Sequence, residues 1–215
     1  MDGVSQEETS LAANTTHLRR RPVQQRSAAR VERMLESCAT LIDEVGYDGV
    51  TTTLIAERAG VAVGSLYQFF PDKRAVVQAL TQRNLDRFME TIGARLAAAT
   101  LEHWWDAVDL VFDAYVEMHR QVPGFTQIRF GDVVDLRLMD DQRDNNTVIA
   151  DRLAELLADQ FALPLAELRL PISVSVEIAD GILNLAFRRR LFTEDVVIAE
   201  AKRVVRGYLS GHIDD

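Results

Sequence analysis

From about Val23 to Val45, the apolar positions Val31, Met34, Leu35, Cys38, Leu41, Ile42 and Val45 recur at three- and four-residue intervals, which places them on one buried helical stripe. Gly46 follows as a residue suited to end that helix. The stretch "DGVTTTLIAERAG" repeats the logic on a smaller scale: capping threonines, a short helix carrying Leu54, Ile55 and Ala59, and Gly60 as the stop. A third helix is expected over Val63 to Phe70. Pro71 and Asp72 then open a fourth that continues to about Ala98. Further helices are expected from His103 to Gln121, Thr126 to Leu138, Asn146 to Phe161, Ile172 to Arg190 and Thr193 to Leu209, joined by "QVPGF", "MDDQRDN", "ALPLAELRLP" and "RLF". "PISVSVEI" alternates ambiguously and reads as helix. Residues 1 to about 18 lack apolar periodicity and are expected to be disordered.

On a helical wheel, the third helix puts Leu66, Phe69 and Phe70 on one arc and Gly64, Ser65 and Gln68 opposite, with Val63 and Tyr67 on a shoulder. One side is therefore core and the other is small and polar. A short helix, a tight turn at "AGVA" and a helix of this kind have the shape of a helix-turn-helix, whose second member enters a DNA major groove about 12 Å wide. Taken alone, the segment suits an amphipathic connector equally well. Its surroundings favour a reader of DNA: Thr51, Thr52 and Thr53 offer hydroxyls at one helix start, Lys73 sits near another, and an arginine arm precedes the unit.

Charge sharpens this picture. The 215 residues carry a net charge of -9, which argues against indiscriminate nucleic-acid or membrane binding but leaves room for a local basic face. Up to Ala75 the counts nearly balance, so most of the excess acid falls in the remainder. Within the first part, "HLRRRPVQQRSAARVER" concentrates six arginines against one glutamate. With 47% hydrophobic and 27% charged residues, the composition is that of a globular protein. The single cysteine, Cys38, lies on the apolar stripe and reads as a core thiol. No stretch is taken as a membrane span or signal peptide, so the expected location is cytoplasmic.

"GYDGVTTTLIAERAGVAVGSLYQFFPDKRAVVQAL" resembles the DNA-binding domain of the TetR family of bacterial regulators, whose pattern runs I-A-x-x-A-G-V and then G-[ST]-L-Y-x-[YF]-F-x-x-K. Matching positions include Gly46, Tyr47, Thr51, Thr53, Ile55, Ala56, Ala59, Gly60, Val61, Gly64, Ser65, Leu66, Tyr67, Phe69, Phe70 and Lys73. The resemblance covers roughly Arg26 to Leu80 and implies an N-terminal three-helix DNA-binding domain followed by a larger helical ligand-binding and dimerisation domain. The expected division is a disordered basic arm over 1–21, the helix-turn-helix domain over 22–72, and the effector and dimerisation domain over 73–215. By the same resemblance, Val63, Gly64, Ser65 and Gln68 approach base edges, with a phosphate contact the alternative for Gln68, while Tyr67, Lys73 and Thr51, Thr52 and Thr53 hold phosphates and Arg26 is a further DNA-binding candidate. Ala62 stands where the family often has a capping serine, so DNA phosphate or water is left to satisfy the amides there.

The helix from His103 carries two apolar stripes, and a large helical unit attached to a DNA reader implies a sensor by family resemblance. Candidate effector-pocket residues are Trp105, Asp109, Phe112, Phe130, Val134, Glu177, Asp180 and Asn184; the acids would favour a cationic effector. Ser173, Glu177, Asp180 and Asn184 form a polar ribbon that either lines the pocket or faces solvent. Ile178, Ile182, Leu185, Val197, Ala201, Val204, Val205 and Tyr208 are the candidate dimer interface, after the four-helix interface of the family. The expected partners are a pseudo-palindromic double-stranded operator, a second copy of the chain and a small-molecule effector. The function expected is a ligand-responsive regulator, a repressor released by its effector. A constitutive regulator whose C-terminal part only dimerises remains the alternative. No cofactor or metal site is expected, and the four scattered histidines offer no catalytic constellation.

Overall fold

A computed structural model describes residues 25–127, 145–189 and 192–213. Among them every regular element is a helix: α1 (Gln25–Gly49), α2 (Thr52–Arg58), α3 (Val63–Phe69), α4 (Lys73–Ala98), α5 (Trp104–Gln121), α6 (Asn145–Phe161), α7 (Leu165–Asn184) and α8 (Glu194–Leu209). The described residues group into two compact units. The first holds 25–86 with 123–127, and the second holds 87–122, 145–189 and 192–213. The division falls at Asp86, inside α4, rather than at residue 72.

In the first unit the stripe from Met34 to Ile42 is core, Val31 packs against it half-buried, and Val45, expected on the buried face, is exposed next to the break at Gly46. Met34, Cys38 and Ile42 of α1 are buried against Ile55 and Ala56 of α2, Leu66 and Phe69 of α3, and Val76, Val77 and Leu80 of α4. Burying each large apolar side chain contributes about 1.5–3 kcal/mol, so a helix as short as α3 is held by tertiary packing rather than by its own propensity. Gly46 interrupts the helical backbone of α1 with φ +69°, where the sequence places its end. The segment 123–127 belongs to this unit: Gly124, at φ +76°, donates its amide to Asp43 Oδ2 at 2.7 Å. A Cβ added to Gly124 would stand 2.9 Å from the Ala39 carbonyl oxygen and 3.0 Å from its Cα. Only glycine allows both this backbone angle and this approach.

In the second unit α7 packs against α6 and α8, and α5 against both of those helices. "LAELRLP", expected as connection, is helical: α7 begins at Leu165 and carries Pro171 inside it. Leu168 and Ile172 are both buried four residues apart, and their packing spans the proline. The segment Leu165–Phe187, with mean hydropathy 1.4, is also long and apolar enough by composition to cross a membrane, which the sequence reading overlooked. A core helix passes the same test, and α7 is flanked by α6 and α8. The helix expected to run to Arg190 instead passes at Leu185–Arg189 into a π-helical turn. Phe187 of that turn stacks on His119 with 4.0 Å between ring centroids.

Candidate DNA-reading and effector sites

The turn between α2 and α3 is closed by backbone bonds: Gly60 N–H donates to Glu57 O at 3.1 Å and Val61 N–H to Ala56 O at 3.0 Å. Gly60 sits at φ +65°, the left-handed conformation that lets α3 turn away from α2. Leu66 and Phe69 anchor α3 inward, which leaves Gly64, Tyr67 and Gln68 exposed on the other face. A Cβ added at Gly64 would meet nothing within 4 Å, so no intramolecular packing requires a glycine there. Val63 and Ser65 are half-buried, and Val63 packs against the core. They offer less to an incoming base edge than the sequence pattern suggests.

Most of the phosphate-facing candidates already have a partner within the unit. Thr51 caps α2 by accepting the Leu54 amide at 3.2 Å, and the Thr52 hydroxyl is 2.9 Å from that of Tyr67. Thr53 is exposed. Lys73 donates to the Tyr47 carbonyl at 2.9 Å, and its ammonium lies 4.3 Å from the centre of the Tyr47 ring. Tyr47 thus orients Lys73, a role that its place in the turn did not reveal. Ala62 is the N-cap of α3 and supplies no side-chain cap bond, as its methyl requires. Beside the turn, Arg58 and Glu44 pair at 2.7 Å; the guanidinium hydrogen bond holds the Glu44 carboxyl below its ordinary range. Burial pushes the Cys38 thiol up to about 12. The arm over 1–21 and the side chain of Arg26 lie outside the described residues.

The second unit encloses a cavity of about 70 Å³ lined by side chains of α4 to α8, among them Leu96, Phe112, Leu157, Ile172, Ser175 and Val205. Of the six pocket candidates among the described residues, only Phe112 lines it. Phe130 and Val134 lie outside the described residues. The other five are elsewhere, and most are engaged. Trp105 stacks on His103 at 4.0 Å with Arg206 4.4 Å above its ring. Asp109 faces Lys202 at 3.5 Å, Glu177 accepts from Asn146 at 3.1 Å, and Asp180 accepts from the Tyr115 hydroxyl at 3.0 Å. Asn184 is half-buried. The acids therefore bond to neighbouring side chains and line no part of this cavity. The aliphatic lining of α5 and α6 was legible as apolar periodicity, but a periodic pattern does not distinguish a filled core from a hollow one.

Of the dimer candidates, Val197, Ala201 and Val205 are buried inside the chain itself and have almost no area left for a partner. Ile178, Ile182, Leu185, Val204 and Tyr208 are half-buried.

A short reading helix anchored by two apolar residues, with a clear polar face and a glycine-closed turn, defines a helix-turn-helix DNA-binding protein. Residues 35–80 match the family model of bacterial regulatory proteins of the tetR family, and residues 102–213 match that of the tetracyclin repressor-like C-terminal domain. The chain belongs to the TetR family of transcriptional regulators. It is 38% identical to a TetR-family transcriptional regulator from Streptomyces coelicolor, with a TM-score of 0.73 over 86% of this chain and 99% of that one. Among curated proteins, it is 26% identical over 99 residues to the uncharacterised HTH-type transcriptional regulator YvdT of Bacillus subtilis, covering 45% of this chain and 50% of that protein. It is 36% identical over 72 residues to the HTH-type transcriptional repressor KstR of Mycolicibacterium smegmatis, covering 33% of this chain and 35% of that protein. The aligned stretches thus span half or less of these curated relatives.

Proposed function

We propose that this chain is a homodimeric repressor that binds a pseudo-palindromic operator through α3 and is released when a small molecule occupies its second unit. The observation that carries the reading is the exposed face of Gly64, Tyr67 and Gln68, open at its glycine and fixed from behind by Leu66 and Phe69. Gln68 is the direct reader, because its amide both donates and accepts and so matches adenine. Tyr67 and Thr52 act as one hydroxyl pair toward a phosphate, and the arm over 1–21 adds charge.

Pairing of two chains uses Ile178, Ile182 and Leu185 of α7 and the turn after it, with Val204 and Tyr208 of α8. Two copies set half-sites about one helical turn, or a small multiple of it, apart. The test is binding-site selection from random duplex DNA with the full chain, read beside sedimentation at the same concentration. A symmetric motif bound by a dimer is the expected result. No preference over random duplex at moderate salt refutes sequence reading, and a monomer with full affinity refutes the pairing.

A further inference from the structure

We propose that the effector is a small uncharged molecule, mostly hydrocarbon, whose one hydroxyl or carbonyl group hydrogen-bonds the Ser175 hydroxyl. This rests on the reading of the second unit as an effector domain and names the chemistry that the cavity admits. Ser175 is the one polar side chain among the described residues lining the cavity, and it is 5% exposed. Its hydroxyl oxygen is buried without a hydrogen-bond partner.

Several other helical hydroxyls among the described residues are not isolated in this way. Helical hydroxyls ordinarily turn back to the carbonyl four residues earlier. Ser173 does so to Arg169 at 2.8 Å, Ser210 to Arg206 at 2.8 Å, Thr81 to Val77 at 3.0 Å and Thr40 to Glu36 at 3.0 Å. Ser175, one turn beyond Pro171 on the same helix, makes no such bond and is left at the cavity wall. A buried hydroxyl without a partner is costly, and a ligand group that met it would recover the loss.

Among the described residues no ionisable side chain lines the cavity. A cationic or anionic ligand would lose its hydration there with no counter-charge to replace it, which overrides the cationic preference expected from Glu177 and Asp180. Size narrows the class further. About 70 Å³ is roughly half of a 150 Å³ dry cavity that accepts benzene, so the site as it stands takes a chain of a few carbons. A larger ligand must displace leucine and valine side chains. Leu96 in the lining belongs to α4, the helix that begins at Lys73 just beyond α3.

The test uses the full chain with methyl-labelled leucine, isoleucine and valine, titrated with butan-1-ol, 1-chlorobutane, butylammonium and butyrate. Butan-1-ol and 1-chlorobutane should shift the methyl signals of Leu157, Ile172 and Val176 and leave Leu66 unmoved. The two ions should bind at least about tenfold more weakly. Ser175→Ala removes a hydroxyl that has no partner, so it folds; it should weaken butan-1-ol about 2- to 12-fold and leave 1-chlorobutane unchanged. Equal binding of the ions overturns the uncharged class, and an equal effect of Ser175→Ala on both neutral probes overturns the hydroxyl contact. Operator affinity measured in parallel separates the two readings. If butan-1-ol fills the cavity and operator affinity stays fixed, the effector reading fails while the ligand class of the cavity stands. If an ion releases the operator and the neutral probes do not, the effector reading stands and the class is wrong.

Discussion

Gly124→Ala and Gly60→Ala form a pair that separates backbone strain from steric approach. Both glycines have left-handed backbone, at φ +76° and +65°. An alanine in that region costs about 1–2 kcal/mol, and its smaller unfolded-state entropy returns about 0.4–1. At Gly60 nothing lies within 4 Å of the added carbon, so the net loss should stay near 1 kcal/mol. At Gly124 the carbon would stand 2.9 Å from the Ala39 carbonyl oxygen, in the middle of α1, where backbone cannot yield. Forced overpacking adds about 1–3 kcal/mol. Pushing the segment away also loosens the 2.7 Å bond from its amide to the Asp43 carboxylate, worth about another 1.5–3 kcal/mol if it is lost. Gly124→Ala should therefore destabilise the first unit by about 2 kcal/mol or more beyond Gly60→Ala. Both tryptophans lie in the second unit, so the assay is native-state amide exchange along α1, which reports the opening of the first unit itself. Losses equal within about 0.5 kcal/mol would refute the close approach of Gly124 to α1.

Gln68→Ala should relax base preference at one position of each half-site and cost about 1–3 kcal/mol on the preferred sequence. Tyr67→Phe, which breaks the pair with Thr52, should weaken all sequences alike; site selection with each variant decides, and an unchanged motif for Gln68→Ala moves that residue to the backbone contacts. Ala62→Ser should supply the missing cap and stabilise α3 by about 0.5–2 kcal/mol, read by amide exchange at Gly64 and Ser65, and no added protection there counts against an uncapped helix start. Asp106 accepts the amides of His103 at 2.9 Å and Glu102 at 3.0 Å, the first being the main reason its carboxyl sits below the ordinary range. Its support for the start of α5 is thus present above the unfolded-state pKa and is lost as pH falls through the lower folded value. A carboxyl NMR titration with its midpoint at or above that of a free aspartate would contradict this.

The reading unit was legible because its information is local. Leu66, Phe69 and Phe70 declare an inward arc by spacing alone, and Gly60 marks a turn that few other residues could make. The engagement of Lys73 with Tyr47, and of Thr52 with Tyr67, was not legible, since each joins side chains brought together by the packing of separate helices. Pro171 misled because a proline's local cost argued for an end, while the buried pair Leu168 and Ile172 carried the helix through it. The polar ribbon left two readings open for a different reason. Acids on an apolar helix suggest a ligand, but Glu177 and Asp180 bond to Asn146 and Tyr115, and the cavity lies among aliphatic residues that resemble ordinary core.

The inclusion of 123–127 in the first unit has a consequence for synthesis on the ribosome. Residues through Asp86 can leave the exit tunnel and assemble α1 to α3, yet Gly124 and its bond to Asp43 are about forty residues further along. At about 5–20 residues per second, the nascent chain spends about 2–8 s with the Ala39 side of α1 uncovered. The first unit is therefore not an N-terminal module that is complete before synthesis of the second begins. Its last piece arrives only after all of α5 has been translated, so a truncation at Asp86 yields a reader lacking that covering segment.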